Sequence, residues 1–225
     1  HPEERINWTL SASFKHQKAK YEDIGNSLDQ FNKENLNTSL VRYYDGGSPT
    51  ALWAVRSLGI NPSDGRELFL TKEGTYTFEY DTEDEVVVGN SEPKLEGVLG
   101  STLYWKGFSF SLYFRYSLGA DVFTEATYNK VENISLAGLK SNQDKRALHD
   151  RWQKPGDHAK FKGISLTETT PISSRFVLRE NYIKAESISV GYDFESQAVQ
   201  KLGIQSLRLQ ANTTDLFRIS PIKEE

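Results

Sequence analysis

Apolar and polar residues alternate along several stretches of the chain, and the clearest runs from Phe108 to Leu118. Phe108, Phe110, Leu112, Phe114, Tyr116 and Leu118 share one parity, while Ser109, Ser111, Tyr113, Arg115 and Ser117 hold the other. A period of two predicts a β-strand with one apolar and one polar face. Its eleven residues suit a tilted strand crossing a bilayer and exceed the about 5–6 residues common in globular sheets. Ile6, Trp8, Leu10, Ala12 and Phe14 repeat the pattern against Asn7, Thr9, Ser11, Ser13 and Lys15. Ile188, Val190, Tyr192 and Phe194 do so against Ser187, Ser189, Gly191 and Asp193, as do Leu207, Leu209, Ala211 and Thr213 against Arg208, Gln210, Asn212 and Thr214. Stretches 36–44, 51–59 and 98–105 alternate with both faces mixed, giving about seven predicted strands.

The connections alternate too. Lys106-Gly107 is a tight hairpin, and Asp45 to Thr50 and the stretch near 195–203 are short turns, whereas 21–35, 60–97 and 119–181 are long. Compact domains seldom need connections of that length. Outer-membrane barrels have this asymmetry, with short periplasmic turns and long outer loops. The Lys106-Gly107 turn is then periplasmic, and 119–181 is extracellular. A Lys or Arg on the lipid face at mid-bilayer costs about 2–4 kcal/mol, so Arg115 and Tyr113 are assigned to the lumen and the Phe stripe to lipid. The stretch 182–194 resists a uniform assignment: Lys184 and Glu186 share the parity of Ile188 and Val190. They must lie at the interface, or a bulge must reset the register. Trp105 and Tyr116, near opposite strand ends, are read as girdle residues.

Composition narrows the alternatives. The chain has 225 residues, no cysteine, a formal net charge of −4 and 12% aromatic residues, at a pI near 5.7. No disulfide or thiolate metal site is available, and no basic excess points to nucleic acid. No apolar run is long enough for a transmembrane helix, while alternating strands keep mean hydropathy low in a barrel. With no Met and no signal peptide, the chain is read as a piece of a longer protein. An odd number of spans and the bare edges of an open sheet also call for a further strand.

The stretch Ser173-Ser174-Arg175-Phe176-Val177, continuing through Tyr182-Ile183-Lys184-Ala185-Glu186 to Ser187-Ile188-Ser189-Val190-Gly191-Tyr192, resembles TonB-linked outer-membrane proteins of the SusC/RagA type. So does Leu202-Gly203-Ile204-Gln205-Ser206-Leu207-Arg208-Leu209 with Asp215-Leu216-Phe217, where the family commonly has Asn-Leu-Phe. Gly89-Asn90-Ser91-Glu92-Pro93-Lys94 leading into Tyr104-Trp105-Lys106-Gly107-Phe108, and Arg151-Trp152-Gln153-Lys154-Pro155-Gly156-Asp157, fit as well. The resemblance spans nearly the whole chain and implies an antiparallel transmembrane β-barrel of about 22 strands with an N-terminal plug. It implies TonB-dependent import of an oligosaccharide or peptide beneath a SusD-like lipoprotein lid. Residues 1–225 would be the C-terminal part of the barrel domain, with the plug, the TonB box and the last strand lying outside it.

Candidate chemistry is sparse. No nucleophile elbow, phosphate loop or zinc-protease motif occurs, so neither an enzyme nor a cofactor is expected. His149, Asp150 and His158, and the acidic run Asp81 to Glu85, read more simply as solvated loop residues than as metal sites. Tyr113 and Arg115 are candidate contacts for cargo or plug. Trp152 could stack on a ligand, although loop packing is the simpler reading. Leu136, Leu139, Leu148 and Trp152 have loose helical spacing, which suggests a short helix beneath the lid. The competing class is a soluble β-sandwich that binds carbohydrate or protein. It would require the Phe108–Leu118 stripe to be buried under a second sheet.

Overall fold

A computed structural model describes residues 6–165, 167–194, 201, 203, 204 and 206–222. In chain order the strands are β1 (Asn7–Ala12), β2 (Ala51–Ile60), β3 (Glu67–Leu70), β4 (Tyr76–Thr77), β5 (Glu85–Asn90), β6 (Leu95–Trp105), β7 (Phe108–Phe123), β8 (Val177–Phe194), β9 (Leu207–Thr214) and β10 (Arg218–Ile219). Short helices α1 (Asp29–Glu34) and α2 (Arg146–His149) lie between them. The chain divides into two compact units. Of the described residues, those within 6–17, 93–119 and 180–222 form the first, and those within 18–92 and 120–179 form the second.

The first unit is an open antiparallel sheet in the order β1-β6-β7-β8, with both β9 and β10 paired to β8. Its organising turn is Lys106-Gly107. Both residues have positive φ, 47° and 84°, as a two-residue hairpin of the kind matched to strand twist requires. That turn sets the register Trp105↔Phe108 and runs it without interruption to Leu95↔Leu118. β1 then pairs with β6 from Asn7↔Tyr104 to Ala12↔Leu99. One-residue slips would invert every face, so this register decides which side chains share a surface.

Two of the expected strands do not belong to this sheet. Residues 51–60 do form a strand, but β2 sits inside a separate four-stranded sheet ordered β4-β3-β2-β5. Register shifts at Leu52/Trp53 and Ser57/Gly59 are bulges, which explain the mixed faces seen in the sequence. Residues 36–44 are not a strand. Leu40 and Arg42 are buried while Val41 and Tyr43 are not, so the inward alternation is real over 40–43, but 36–38 form a turn with Asn37 at φ 62° and the segment has no strand pairing of its own. The consequence is topological. Everything from 18 to 92 is one excursion between two neighbouring strands, and the alternation of short and long connections survives with fewer members. The turn expected near 195–203 lies largely outside the described residues.

The second unit has a modest apolar core: Leu40, Leu52, Ala54 and Ile172 in one cluster, and Val131, Ile134, Ala147 and Phe161 in another. Buried charge does much of the remaining organisation. Arg42 makes a two-pronged contact with Glu85, with Nε to Oε2 at 3.0 Å and Nη2 to Oε1 at 2.8 Å, and also donates to the carbonyls of Ser39 and Val41. Arg175 holds Glu67 and Glu132 together, each at 2.9 Å. Ser173 and Thr170 donate to the same two carboxylates at 2.6 and 3.0 Å. Arg151 donates to the carbonyls of Ala147, Lys162 and Glu132. Burial pushes the Glu85 carboxyl upward against the opposing pull of Arg42. The Arg175 guanidinium is also raised: burial opposes its charge, but hydrogen bonds to Glu132 and Glu67 outweigh it.

The expected helix over 136–152 is broken. A π-helical turn at Thr127–Glu132 and a 3-10 turn at Gly138–Lys140 precede α2, and Leu136, Leu139 and Leu148 stay exposed. The acidic run 81–85 is more committed than a solvated face. Asp81 caps a 3-10 turn by accepting from the Glu83 amide, Asp84 accepts from the Lys72 amide at 2.9 Å, and Glu85 is buried on Arg42.

Candidate functional site: a two-faced wall

The register of the first sheet gathers the apolar parities onto one surface. Trp8 opposes Leu103, Ala12 opposes Leu99, and Leu103 and Leu99 oppose Phe110 and Phe114. On the far side Val190 opposes Ala211 and Tyr192 opposes Leu209. This surface is not sealed among the described residues. Trp8 is 63% exposed, Phe108 52% and Phe110 37%. Leu112 and Phe114 are half-buried, and Phe114 rests on Phe217, with ring centroids 6.1 Å apart. A soluble sandwich would have covered these positions, since a monomer seldom leaves so large an apolar surface in water.

The two girdle candidates part company. Trp105 is exposed beside the hairpin, with the Lys106 ammonium 5.8 Å from its ring. Tyr116 is buried. Its ring packs against Phe14, its hydroxyl donates to the Ser13 carbonyl at 3.0 Å, and Gly97 directly opposite makes room for it. A Cβ on Gly97 would come 1.9 Å from the Ser13 oxygen, so only glycine fits this crowded rung.

The opposite surface is polar. Thr9 faces Thr102 and Ser11 faces Gly100; Thr102 faces Ser111 and Gly100 faces Tyr113. The Tyr113 ring covers Gly100 and its hydroxyl lies 3.5 Å from Thr102 Oγ1. Lys15 pairs with Glu96 at 2.8 Å. Arg208 reaches Asp193 at 3.5 Å and donates to Ser109. Arg115 donates from Nε and Nη2 to Glu186 Oε1 at 3.2 and 2.6 Å. Its charge is therefore met within the wall, in a part-exposed pair of the sort worth about 0–1 kcal/mol.

The parity conflict in β8 has a structural counterpart. From Ser187↔Thr214 to Lys184↔Arg218, three steps along β8 face four along the partner strand. This is a bulge, with Asp215 at φ 55° and its carboxylate on Lys184 at 2.8 Å. Glu186, for its part, meets Arg115 although it shares parity with Ile188.

Trp152 belongs to the second unit. Its indole N–H donates to the Pro62 carbonyl at 2.9 Å, and its ring covers Gly65, where a Cβ would approach to 2.5 Å. The Gly156 amide bonds the same Pro62 oxygen at 2.8 Å, and Asp157 caps the amides of Gln153 and Lys154. The Arg-Trp-x-x-Pro-Gly-Asp motif thus folds the turn at 60–66 onto the stretch 152–157. A concave surface in the same unit went unnoticed in the sequence. It is lined by residues from α1, β2, β5 and the stretches 71–73 and 81–84.

No protein-family model matches the chain. Among curated proteins it is 24% identical over 157 residues to TonB-dependent receptor P39 of Formosa agariphila, covering 68% of this chain and 15% of that protein. It is 25% identical over 174 residues to TonB-dependent receptor P3 of the same organism, covering 77% and 16%. The chain therefore spans about one sixth of the length of these relatives. Its fold matches solved structures of the RagAB peptide transporter, with a TM-score of 0.74 at 15% identity over 96% of this chain and 24% of that one. The closed-closed state of the RagAB peptide importer gives 0.75 at 16%, over 95% and 24%. The fold and its two-faced sheet define the class, an open piece of a transmembrane β-barrel wall. Within that class, the chain is similar in sequence to proteins named TonB-dependent receptors and similar in fold to a peptide transporter.

Proposed function

We propose that residues 1–225 are the C-terminal part of the barrel domain of a TonB-dependent importer in a bacterial outer membrane. The wall strands separate lipid from a wet lumen. The Lys106-Gly107 hairpin lies on the periplasmic side, and the excursions 18–92 and 124–176 lie outside the cell. Cargo is an oligosaccharide or peptide, delivered beneath a SusD-like lipoprotein. TonB acts through a plug and TonB box that lie outside this chain. Neither nucleic acid nor a catalytic step has a part in this reading.

Tyr113 and Arg115 are the lumenal candidates for contact with cargo or plug. With Arg115 held by Glu186, its part is to present an oriented, half-neutralised guanidinium. Trp152 is the candidate in the outer excursions, although its hydrogen bond to Pro62 gives it a structural task as well.

The observation that carries the proposal is the exposed apolar face, kept in register across β1, β6 and β7 and continued onto β8 where Tyr192 meets Phe108. Hydrocarbon is the surrounding in which such a face costs nothing to expose, and a closed barrel satisfies the strand edges. The check is fractionation of Gram-negative cells expressing the intact protein. Recovery in the outer membrane, extraction only by detergent and heat-dependent gel mobility are expected. A monomer that stays in solution without detergent and unfolds cooperatively would end the proposal.

A further inference from the structure

In the second unit, α1, the start of β2, β5 and the turns at 71–73 and 81–84 enclose a concavity of about 1400 Å³. Small-molecule sites usually run to about 300–1,000 Å³, so this surface is sized for something extended. Two aromatic rings stand on its wall. Tyr44 and Trp53 are 5.0 Å apart between centroids, and Tyr44 is exposed. Around them the charge is one-sided. Asp29, Glu73, Asp81, Glu83 and Asp84 face only Lys33 and Lys72, because Glu85 is neutralised by the buried Arg42. Among the described residues no ion pair engages Asp29, Glu73 or Glu83.

From this arrangement we infer that the concavity docks an extended polypeptide segment bearing lysine or arginine. Three features select that occupant. Electron-rich aromatic faces attract ammonium and guanidinium groups. A carboxylate-lined concavity concentrates cations and repels anions. And β5 is the last strand of its sheet, with Val86 and Val87 on the wall of the concavity. An edge strand offers a row of main-chain groups to an added strand, which a sugar cannot use in the same way. The inference stands apart from the import reading, because it concerns this unit alone.

The test is fluorescence anisotropy of the intact protein in detergent, titrated with a labelled octapeptide alternating lysine and glycine. A glutamate–glycine octapeptide and a neutral gluco-oligosaccharide of similar length serve as comparisons. The lysine peptide is expected to bind, and to bind more weakly as salt rises from about 50 to about 300 mM. Tyr44→Ala should weaken it about 3- to 5-fold. Glu73→Lys with Glu83→Lys, both on exposed turns, should weaken it about 10-fold or more. The inference is overturned if the lysine peptide does not bind, or if neither variant moves its affinity while circular dichroism shows both folded. Tyr44-dependent binding of the glutamate peptide or the oligosaccharide with equal strength overturns it too.

Discussion

The two units of this chain solve opposite solvation problems. In the wall, large apolar side chains such as Trp8, Phe108 and Phe110 are exposed, and order comes from an unbroken ladder set by one two-residue turn. In the second unit the deeply buried side chains include Arg42, Glu67, Glu132 and Ser173, and order comes from charges that satisfy one another. Hydrophobicity alone would have ranked the first unit as core and the second as surface. Under the proposed placement the medium decides: a greasy face needs no cover in hydrocarbon, while a long excursion in water must fold on itself with little apolar material.

The sharpest way to break the comparison is Arg175→Ala. It strands Glu67 and Glu132 as buried carboxylates without their cation, and removing one partner of such a set costs about 3–5 kcal/mol. Limited proteolysis should then cut within 60–70 and 127–135 while the wall strands stay protected. Equal resistance of variant and parent would show that the buried charges do not hold the unit. Replacing the three together, Arg175→Met with Glu67→Leu and Glu132→Leu, should restore much of the resistance.

Next in size is the wall. Leu112→Arg, halfway along the Phe108–Leu118 stripe, puts a cation on the apolar face, costing about 2–4 kcal/mol near mid-bilayer, whereas Ser111→Arg, one residue back and facing the other way, should cost much less. Refolding yield into lipid vesicles reads the difference, and equal yields would contradict the face assignment. Smallest is Trp152→Phe, which keeps a ring over Gly65 and loses the bond to Pro62. About 1 kcal/mol of local stability should go, visible as faster amide exchange at 60–66. No change there would leave Trp152 without the packing role.

The wall was legible because eleven residues of strict period two from Phe108 admit one reading, and because Lys106-Gly107 has the turn chemistry its conformation needs. The continuation of β7 to Phe123 was harder to see: Ala120 and Val122 keep the apolar parity, but Gly119 and Asp121 look like the start of a loop. Residues 36–44 misled because burial alternates there with no partner strand, and period two cannot distinguish pairing from mere inward pointing. Of the site candidates, Tyr113 and Arg115 were placed by parity, but Glu186 as partner of Arg115 was not, since parity set it on the other face. The concavity was invisible for a different reason. Its lining comes from segments more than forty residues apart, and no local pattern announces their meeting.

The extra residue at Asp215 has one more effect. Below it the apolar side of β8 and its neighbour carries Ile188, Val190, Ala211 and Leu209. Above it the paired residues are Lys184 and Arg218, with Lys184 tied to Asp215, and Arg218 tied to Glu180 and lying over the Tyr182 ring. Ile188 and Lys184 are four residues apart, about 13 Å along a strand. Under the proposed membrane placement, that rung is a waterline drawn by a single insertion, with oil on one side and headgroups and water on the other.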